Sequence, residues 1–588
     1  MQQTRPRGGH HSSRSDLAEA LVACRSALIG TAAISGMTNI LMLTGAMFML
    51  EVYDRVLPSR SMATLAGLIA LVAGLFLALG VLDALRGRIL ARVGGALDEK
   101  LTGRVYETLV SLPLQIGSRS EGNQPLRDMD AIRSYLSSLG PVALFDLPWI
   151  PLYLAVCFVF HPLIGFTALA GAIVLIGLTV LTEVLMRAPS KEATAAAIAR
   201  NGLAEVSRRN AEALTAMGMV GRIAENWNKA NRQFLTSQRR TSDIGGGLGA
   251  ISKVLRMMLQ SAVLAVGAYL VINKEATAGI IIAGSILSAR ALAPVDLAIA
   301  HWKGFVAARQ SWQRLNALLA AMPARPAPML LQAPARRMAV EGVSASPPGV
   351  SRIVLQDISF ALAAGQGLGV IGPSGSGKST LARLLVGAWR PIRGKVRLDG
   401  ASLDQWASEE LGKHIGYLPQ DIELLPGTVG QNIARFEPEP DSNAVIAAAK
   451  AVGAHDLIVS LPAGYETTID KDGSGLSAGQ AQRIALARAV YRNPFLIILD
   501  EPNSHLDAEG DDALTRAIAG IRERKGIVIV IAHRPSAIAA VDTVLFLNQG
   551  RMQAFGPKDE VLSKVLQRPD TAARTLKVVA DSSRAGGA

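Results

Sequence analysis

The sequence contains very few cysteines and few aromatic residues. Two of its 588 residues are cysteine, Cys24 and Cys157, and they argue for neither a disulfide framework nor a metal site. Aromatic residues make up 5% of the chain, and it has neither zinc-type cysteine pairs nor the stacking aromatics of proteins that bind single-stranded nucleic acid. The net charge of +13 is therefore not expected to indicate binding of nucleic acid. It favours basic cytoplasmic segments that face anionic membrane lipid.

Charge is missing from several long stretches in the first half of the chain. Residues 26–50 and 61–82 contain no charged side chain, and about 20 apolar residues suffice to cross a bilayer. A third uncharged block, residues 147–182, is too long for one span, and Pro162 interrupts it. The pattern predicts six transmembrane helices, at about 26–50, 61–85, 138–160, 163–186, 257–273 and 276–298.

The connections between these spans differ in length and charge. Segments 83–137 and 187–256 are long, basic and helical in pattern, whereas the other three connections are very short. Because basic loops stay in the cytoplasm, both long segments and both termini are expected there. We predict a basic, disordered N-terminus over residues 1–20 and a transmembrane domain over residues 21–320.

The sixth predicted span carries two charges, Arg290 and Asp296. Charges inside a membrane are costly unless they face water or a partner. Two interpretations stay open at this point. Either both side chains line a wet passage, or the helix leaves the bilayer here and both lie at the level of the lipid headgroups.

The second half of the chain is typical of a soluble α/β domain. A Pro- and Ala-rich stretch, residues 321–337, is interpreted as a linker, residues 338–570 as one domain and residues 571–588 as a flexible tail. The segment GLGVIGPSGSGKSTLARLLVG combines a buried strand, a glycine-rich loop and a helix, and fits the pattern G-x-x-x-x-G-K-[ST]. Backbone N–H groups of such a loop and the helix N-terminus hold phosphate oxygens. The predicted nucleotide-binding residues are Gly372, Pro373, Ser374, Gly375, Ser376, Gly377, Lys378, Ser379 and Thr380.

Four side chains indicate phosphoryl chemistry with a divalent metal. Lys378 can offer a positive charge to the β- and γ-phosphates, and Ser379 can bind Mg²⁺. Downstream, the apolar strand FLIILDEP ends in Asp500 and Glu501. Asp500 suits coordination of Mg²⁺, and Glu501 beside it can polarise the attacking water. The alternative is that both acids end the strand and face solvent.

A helix with small residues at its start precedes that strand, in GLSAGQAQRIALARAV. Taken alone, this segment is only a capped helix start. Between the glycine-rich loop and Asp500, it resembles the signature of the ATP-binding cassette (ABC) ATPases, and the matching residues are Ser477, Ala478, Gly479 and Gln480. The resemblance extends to Gln420 in YLPQ, Asp507 in SHLD and His533 in VIAHR.

Resemblance to ABC transporters implies a fold and a mechanism. The implied fold is a membrane all-α six-helix exporter domain followed by an α/β P-loop nucleotide-binding domain. ATP and Mg²⁺ are the implied cofactors, and two chains would form a homodimer that sandwiches two ATPs between the glycine loop of one copy and Ser477 and Gly479 of the other. Glu501 would be the general base and His533 the sensor of the γ-phosphate. Gln420 would join the metal ligands and Asp507 the nucleotide site.

Two positions depart from the usual pattern of that family. ABC exporters commonly stack adenine on an aromatic residue about 25 positions before the glycine loop, whereas the matching position here is Pro347. Adenine would then be held by looser apolar contact. The signature has Ala478 where glycine is usual, a small residue that the helix start should tolerate.

Two membrane segments, MFMLEVYDRVLPSRSMATL and LFDLPWIPLYLAV, are similar to the type I secretion permease/ATPases, specifically the branch that exports proteases and lipases. The resemblance covers about residues 20–565. It implies an ATP hydrolase in the bacterial inner membrane that exports unfolded proteins with C-terminal secretion signals through a periplasmic adaptor and an outer-membrane channel.

Two alternative functions stay open. One is a lipid, drug or peptide half-exporter that works without an adaptor, and the other is an ABC ATPase that does not transport. A further hypothesis places Glu51, Asp54 and Arg55, in the connection between the first two spans, against the adaptor.

Overall fold

A computed structural model describes residues 16–117, 122–322, 331–470, 475–532 and 535–566. The chain divides into two compact units, residues 1–111 with 120–323 and residues 112–119 with 324–588, so that the main boundary falls inside the predicted linker. Most of the predicted N-terminal segment, the middle of the linker, the predicted tail and His533 lie outside the described residues.

The first unit is entirely helical in its described part. A π-helical turn, Val52–Val56, and a 3₁₀ turn, Leu147–Trp149, interrupt the α-helices. The α-helices are α1 (Asp16–Ala23), α2 (Arg25–Leu41), α3 (Thr44–Glu51), α4 (Leu57–Ser59), α5 (Met62–Ile116), α6 (Gln124–Leu136), α7 (Gly140–Asp146), α8 (Ile150–Phe160), α9 (Pro162–Arg209), α10 (Ala211–Ala216), α11 (Val220–Ile272), α12 (Ala278–Ala300) and α13 (Trp302–Ala321).

Six helical runs are long and apolar enough to cross a membrane among the described residues: Arg25–Ser59, Met62–Ile116, Gly140–Phe160, Pro162–Arg209, Val220–Ile272 and Ala278–Ala300. Helices α5, α9 and α11 have 55, 48 and 53 residues, and a rise of about 1.5 Å per residue makes each more than twice as long as a bilayer core is thick. The predicted span bounds cover only the apolar parts of these helices, because hydropathy does not detect a helix that continues into water.

The break predicted near Pro162 is present between α8 and α9. His161 adopts an extended backbone, with φ −166° and ψ 138°, and its Nδ1 accepts a hydrogen bond of 3.2 Å from the N–H of Leu163. Proline at the next position cannot supply a backbone N–H to continue α8, but it is tolerated in the first turn of α9.

The prediction of disorder over residues 1–20 is wrong for the last five of them. Residues 16–20 belong to α1, in which Leu17 and Ala20 are buried against Leu315 and Leu319 of α13. The apolar spacing of Leu17 and Ala20 is helical, and their burial stabilises a segment that composition alone describes as polar.

A buried polar cluster joins the first three spans of the first unit. The Arg86 guanidinium of α5 donates to both carboxylate oxygens of Asp146 in α7, at 3.0 and 3.1 Å, and to Asp83 at 2.6 Å. The Asn39 amide of α2 donates to the same Asp146 at 2.8 Å, and the Tyr153 hydroxyl of α8 donates to Asn39. Arg86 and Asn39 are 4% and 3% exposed. The cluster therefore fixes α2, α5, α7 and α8 to one another where water has little access.

Asp296 of α12 forms an ion pair of 2.9 Å with Arg256 of α11. A partner of opposite charge lowers the cost of placing a carboxylate in or near a membrane. Arg290, one turn and a half earlier, is exposed in a single copy of the chain. The pairing is compatible with both interpretations of these charges.

The charged side chains in the connection between the first two spans form contacts within the chain. Asp54, in the π-helical turn, accepts hydrogen bonds from the Thr277 hydroxyl at 2.6 Å and from the Gly279 N–H at 3.0 Å. These are the cap and the first turn of α12, whose free N–H groups favour a negative charge. Glu51 and Arg55 instead form an exposed pair at 3.8 Å. Asp54 thus has a role within the chain, which the adaptor hypothesis did not foresee.

Replacing Asp54 by alanine is expected to lower the free energy of unfolding by about 1 kcal/mol, the usual effect of losing a helix cap. Thermal unfolding of the purified protein in detergent measures this change. Glu51→Ala is the matched control, because it removes a charge from the same turn but only an exposed pair, and it should leave the melting temperature almost unchanged. Equal melting temperatures for Asp54→Ala and Glu51→Ala would contradict the capping role.

The second unit contains two main sheets and a short two-stranded ribbon in its described part. The strands are β1 (Arg337–Ala345), β2 (Leu355–Ala363), β3 (Gly367–Ile371), β4 (Arg393–Leu398), β5 (Ala401–Ser402), β6 (Ile415–Leu418), β7 (Gly427–Thr428), β8 (Thr468–Ile469), β9 (Leu496–Asp500), β10 (Ile527–Ile531), β11 (Thr543–Asn548) and β12 (Arg551–Pro557). The helices are α14 (Lys378–Leu385), α15 (Ser408–His414), α16 (Val429–Ile433), α17 (Ser442–Ala451), α18 (His455–Val459), α19 (Ala478–Val490), α20 (Ala508–Glu523) and α21 (Lys558–Leu566).

The larger sheet places the predicted nucleotide residues along one edge. Its order is β12-β11-β3-β10-β9-β6, and all neighbours pair in parallel except β11 with β12. Every residue of β9 and β10 is buried, as expected for apolar strands covered on both faces. The carboxyl ends of β3, β9 and β6 therefore lie at the same end of the sheet, with β10 between β3 and β9, and the glycine-rich loop, Asp500 and Gln420 follow those three ends.

Candidate functional site

The glycine-rich loop joins the end of β3 to the start of α14. Gly377 precedes the helix with φ +101°, a conformation that favours glycine, and an added Cβ would come within 2.8 Å of the Leu355 side chain. The first N–H groups of α14 have no partner within the helix and form an anion-binding site. The loop therefore has the backbone shape that a phosphate cradle requires.

Lys378 is held over this loop by hydrogen bonds to its backbone. Its Nζ donates to the carbonyl oxygens of Gly372 at 2.9 Å and Pro373 at 3.0 Å, and the residue is 6% exposed. Burial lowers the pKa of Lys378 from its usual value, and the nearby carboxylates of Glu501 and Asp500 oppose that shift. The ammonium thus lies between the loop and both acids, as a charge that binds phosphate should.

The three predicted metal ligands come together at this edge of the sheet. The Ser379 hydroxyl donates to Gln420 Oε1 at 3.4 Å and is also hydrogen-bonded to Asp500. Asp500 is 2% exposed, and its Oδ1 has no hydrogen-bond partner among the described residues. Burial is the main cause that raises the pKa of Asp500 above its usual value. A hydroxyl, an amide oxygen and a carboxylate are hard oxygen donors that fit Mg²⁺ bound to a nucleotide.

Asp500→Asn is expected to stabilise the nucleotide-free protein at neutral pH. A raised pKa means that the folded chain holds a proton that the unfolded chain releases, so the free energy of unfolding falls as pH rises from about 3.8 through the raised pKa. The asparagine cannot ionise and avoids this loss. Thermal unfolding of both proteins over a pH series should show a higher melting temperature for the variant at neutral pH. The difference should shrink as the pH approaches 4, and a constant difference would contradict the raised pKa.

Glu501 follows Asp500 at the strand end and has an unusual backbone. Its φ is +55°, in the left-handed region, and its N–H donates to the carbonyl oxygen of Ile531 at 2.9 Å. A left-handed conformation costs roughly 1–2 kcal/mol for a residue with a side chain, so the surrounding structure must hold it. The residue is half-buried, and its carboxylate opposes the lowering of the Lys378 pKa by burial. Glu501 is placed beside the phosphate cradle with access to water.

The signature residues form the N-terminus of α19. Ser477 caps the helix: its hydroxyl accepts from the Gln480 N–H at 3.3 Å, and the Gln480 side chain accepts from the Ser477 N–H at 2.8 Å. Ser477 and Ala478 are exposed. Within one copy, the signature is therefore an exposed helix start with its own reciprocal cap, and the alanine in place of glycine at 478 lies at the exposed start.

Asp507 caps α20 and pairs with α19. Its Oδ1 accepts from the Gly510 N–H at 2.9 Å and forms an ion pair of 2.6 Å with Arg483. The hydrogen bond from Gly510 and the charge of Arg483 lower the pKa of Asp507. The described structure thus joins Asp507 to the signature helix, which the sequence did not predict. His533, the predicted γ-phosphate sensor, lies outside the described residues.

Several polar residues of this structure were missed by sequence reasoning. Gln482 is fully buried and bonded to the segment after Glu501, and the Arg86–Asp146 pair joins the spans. Gln482 stands at helical spacing before the apolar Ala485 and Leu486, which could have drawn attention to it, but its partners lie about 20 residues away. No sequence pattern reports such a contact.

Comparisons with known proteins agree with both halves of the chain. A family model described as "ABC transporter transmembrane region" matches residues 28–295, and one described as "ABC transporter" matches residues 355–504. A solved structure of a bacterial Atm1-family ABC exporter with ATP bound superposes with a TM-score of 0.80 at 22% identity, over 93% of this chain and 99% of that one. The family models and the fold therefore define an ABC transporter, a multi-pass membrane protein with an ATPase domain, as the sequence predicted.

Similar proteins of known class show which group of ABC transporters this chain belongs to. The chain is 56% identical over 572 residues to the type I secretion system ATP-binding protein PrsD of Rhizobium meliloti (strain 1021), covering 97% of this chain and 98% of the relative. The toxin RTX-I translocation ATP-binding protein of Actinobacillus pleuropneumoniae is 28% identical over 92% of this chain and 77% of its own length. The leukotoxin translocation ATP-binding protein LktB of Mannheimia haemolytica gives the same figures. The chain belongs to the type I secretion ATP-binding proteins of the ABC family, and the predicted ATP-driven exporter is confirmed.

Proposed function

We propose that two copies of this chain form a protein exporter in the bacterial inner membrane. The exporter moves unfolded proteins that carry C-terminal secretion signals out of the cytoplasm, through a periplasmic adaptor and an outer-membrane channel. The observation that carries this proposal is the 56% identity to a type I secretion ATP-binding protein over nearly the whole of both chains. The similarity to the toxin RTX-I and leukotoxin translocation ATP-binding proteins adds support, because their names describe the translocation of toxins.

The homodimer is supported by the arrangement of each copy's nucleotide residues. The glycine-rich loop forms a phosphate cradle within one copy, while the signature start at Ser477 and Ala478 is exposed, and its described side-chain hydrogen bonds are those of its own cap. An exposed helix N-terminus with small residues suits a phosphate that arrives from outside. In the proposed dimer, each signature meets the γ-phosphate of the ATP held by the partner copy.

The proposed hydrolysis uses residues at the ends of β3, β9 and β6. Lys378 and the loop N–H groups hold the phosphates, and Ser379, Gln420 and Asp500 are the residues that would hold Mg²⁺. The metal, when bound, neutralises charge on the β- and γ-phosphate oxygens. Glu501 accepts the proton of the attacking water as general base. His533, which has a donor at either ring nitrogen when protonated, is proposed to contact the γ-phosphate.

The long helices supply a path from hydrolysis to transport. Helices α5, α9 and α11 continue unbroken well beyond the length that a bilayer needs. A continuous helix transmits a displacement at one end to the other, so closure of the ATP dimer can move the spans. The basic segments of these helices face cytoplasmic lipid headgroups in the proposed orientation.

Cysteine cross-linking tests the head-to-tail dimer. In a background with Cys24→Ser and Cys157→Ala, Ser374→Cys and Ser477→Cys are combined with Glu501→Gln, which should trap bound ATP. The expected result is a disulfide-linked dimer in the presence of ATP and Mg²⁺, and little without nucleotide. The same background with Ser477→Cys alone is the control and should stay monomeric. A chain that binds ATP and still gives no cross-linked dimer would contradict the proposed arrangement.

A further inference from the structure

We infer that Gln482 is a positioning residue that holds the proposed base Glu501, and with it the segment 501–507, against the signature helix. The inference rests on the proposed role of Glu501 as general base. Gln482 lies in the first turns of α19 and is fully buried. A buried amide that is fully hydrogen-bonded can fix a loop in one arrangement, whereas a partly bonded one is costly.

Every described hydrogen bond of the Gln482 side chain goes to the segment that follows Asp500. Its Nε2 donates to the carbonyl oxygens of Glu501, at 3.4 Å, and Pro502, and to the Ser504 hydroxyl at 3.4 Å. Its Oε1 accepts from the His505 N–H at 2.9 Å. One side chain therefore satisfies backbone groups on both sides of the turn that begins with Glu501.

Two neighbouring residues of α19 contact the same segment. Gly479 approaches it so closely that an added Cβ would lie 2.9 Å from the carbonyl oxygen of His505. Arg483 forms the ion pair of 2.6 Å with Asp507. Gly479, Gln482 and Arg483 are spaced i, i+3 and i+4, which places them on one face of a helix. That face of α19 and the segment 501–507 thus form one packed element.

This contact bears on the direction of the Glu501 carboxylate. The left-handed backbone of Glu501, at φ +55°, is disfavoured for a residue with a Cβ and needs outside support. Its N–H donates to the carbonyl oxygen of Ile531 in β10, and its carbonyl oxygen accepts from Gln482 and, within the turn, from the Ser504 N–H at 3.3 Å. Both peptide groups that flank the Cα of Glu501 are then anchored, one to the sheet and one to α19. Losing the anchor to α19 leaves the bond within the turn, and so loosens the Cα–Cβ direction and with it the carboxylate.

Replacing Gln482 by methionine tests the inference, because methionine has a similar length and cannot hydrogen-bond. The variant is expected to hydrolyse ATP at least about tenfold more slowly than wild type, with the KM for ATP within about twofold, since a misaligned general base affects the chemical step. The matched control is Asn432→Leu. Asn432 is also fully buried and bonds the backbone of Leu425 and Thr428, in the same domain but apart from Glu501.

The control separates positioning from folding. Rates are normalised to the folded fraction, measured by thermal unfolding and gel filtration. Asn432→Leu should then keep kcat within about twofold of wild type while Gln482→Met does not. Equal normalised losses in both variants, or an unchanged kcat for Gln482→Met, would overturn the inference.

Gln482→Glu provides a second test, whose pH dependence can be read even if part of the variant is unfolded. An ionised carboxylate keeps the acceptor for His505 but turns a negative charge toward the carbonyl oxygens of Glu501 and Pro502. A protonated carboxyl restores one donor, and burial raises the pKa of a carboxyl into a measurable range. The kcat of this variant relative to wild type should therefore rise as the pH is lowered from 8 to 6, and a flat ratio would count against the inference.

The inference and the proposed function can fail separately. If Glu501→Gln hydrolyses ATP like wild type, the role of the base is wrong and the inference falls with it. If Glu501→Gln is inactive but Gln482→Met is fully active, Glu501 keeps its role as general base and only the positioning role of Gln482 is overturned.

Discussion

Glu501→Gln is expected to bind ATP normally and to hydrolyse it at least about 100-fold more slowly than wild type. A positioned general base contributes roughly 10²–10⁴-fold to a rate, and an amide cannot accept the proton of the attacking water. The substitution keeps the size of the side chain. It also keeps the hydrogen bond from the residue's N–H to Ile531, so the site should stay folded. Phosphate release at saturating ATP measures the rate, and equilibrium binding of a fluorescent ATP analogue measures affinity.

The matched control for this prediction is Glu509→Gln. Glu509 is an exposed acid in the first turn of α20, on the same stretch of chain, and has no proposed part in hydrolysis. It should hydrolyse ATP within about twofold of wild type. Substantial hydrolysis by Glu501→Gln would show that another group accepts the proton and would remove the central residue of the mechanism.

The second large effect is expected in the membrane unit. Arg86→Met should lower the free energy of unfolding by about 3 kcal/mol or more, because it leaves the Asp146 carboxylate buried without its cation. The hydrogen bond from Asn39 would remain, but an amide does not neutralise a charge. Thermal unfolding in detergent and the yield of membrane-inserted protein measure the effect.

Two further variants isolate the charge as the cause. Arg55→Met also removes an arginine from an ion pair, but that pair is exposed and 3.8 Å long, so the expected change is below about 1 kcal/mol. Combining Arg86→Met with Asp146→Asn removes both charges and should recover much of the lost stability. If the double variant were no more stable than Arg86→Met alone, the loss would come from packing rather than from the unpaired carboxylate.

Local chemistry explains why much of the fold was predictable. The spans follow from uncharged runs, and the break at His161 and Pro162 follows from proline's missing N–H. The phosphate cradle follows from a glycine loop placed between a buried strand and a helix. Ser379, Gln420 and Asp500 come from three distant parts of the sequence, and the parallel order of β3, β9 and β6 brings them together.

The rest depended on contacts between distant residues. Gln482 looks like one more polar residue on a helix until its partners after Glu501 are seen. Asp54 looks like a turn charge until α12 is found to begin against it. Arg86 lies in a segment that the sequence predicts to be basic and cytoplasmic, yet it is buried against Asp146. Hydropathy and motifs describe one segment at a time and carry no information on which segments meet.

The central claim is that this chain exports proteins by using ATP. The most direct measurement compares the proteins released into the medium by bacteria that carry the wild-type chain and by bacteria that carry Lys378→Ala, at equal expression of the chain. Mass spectrometry of the two media should find at least one protein in the first that is absent from the second and accumulates inside those cells. That protein should lose its export when its C-terminal segment is deleted. Identical sets of released proteins from both strains would contradict the account.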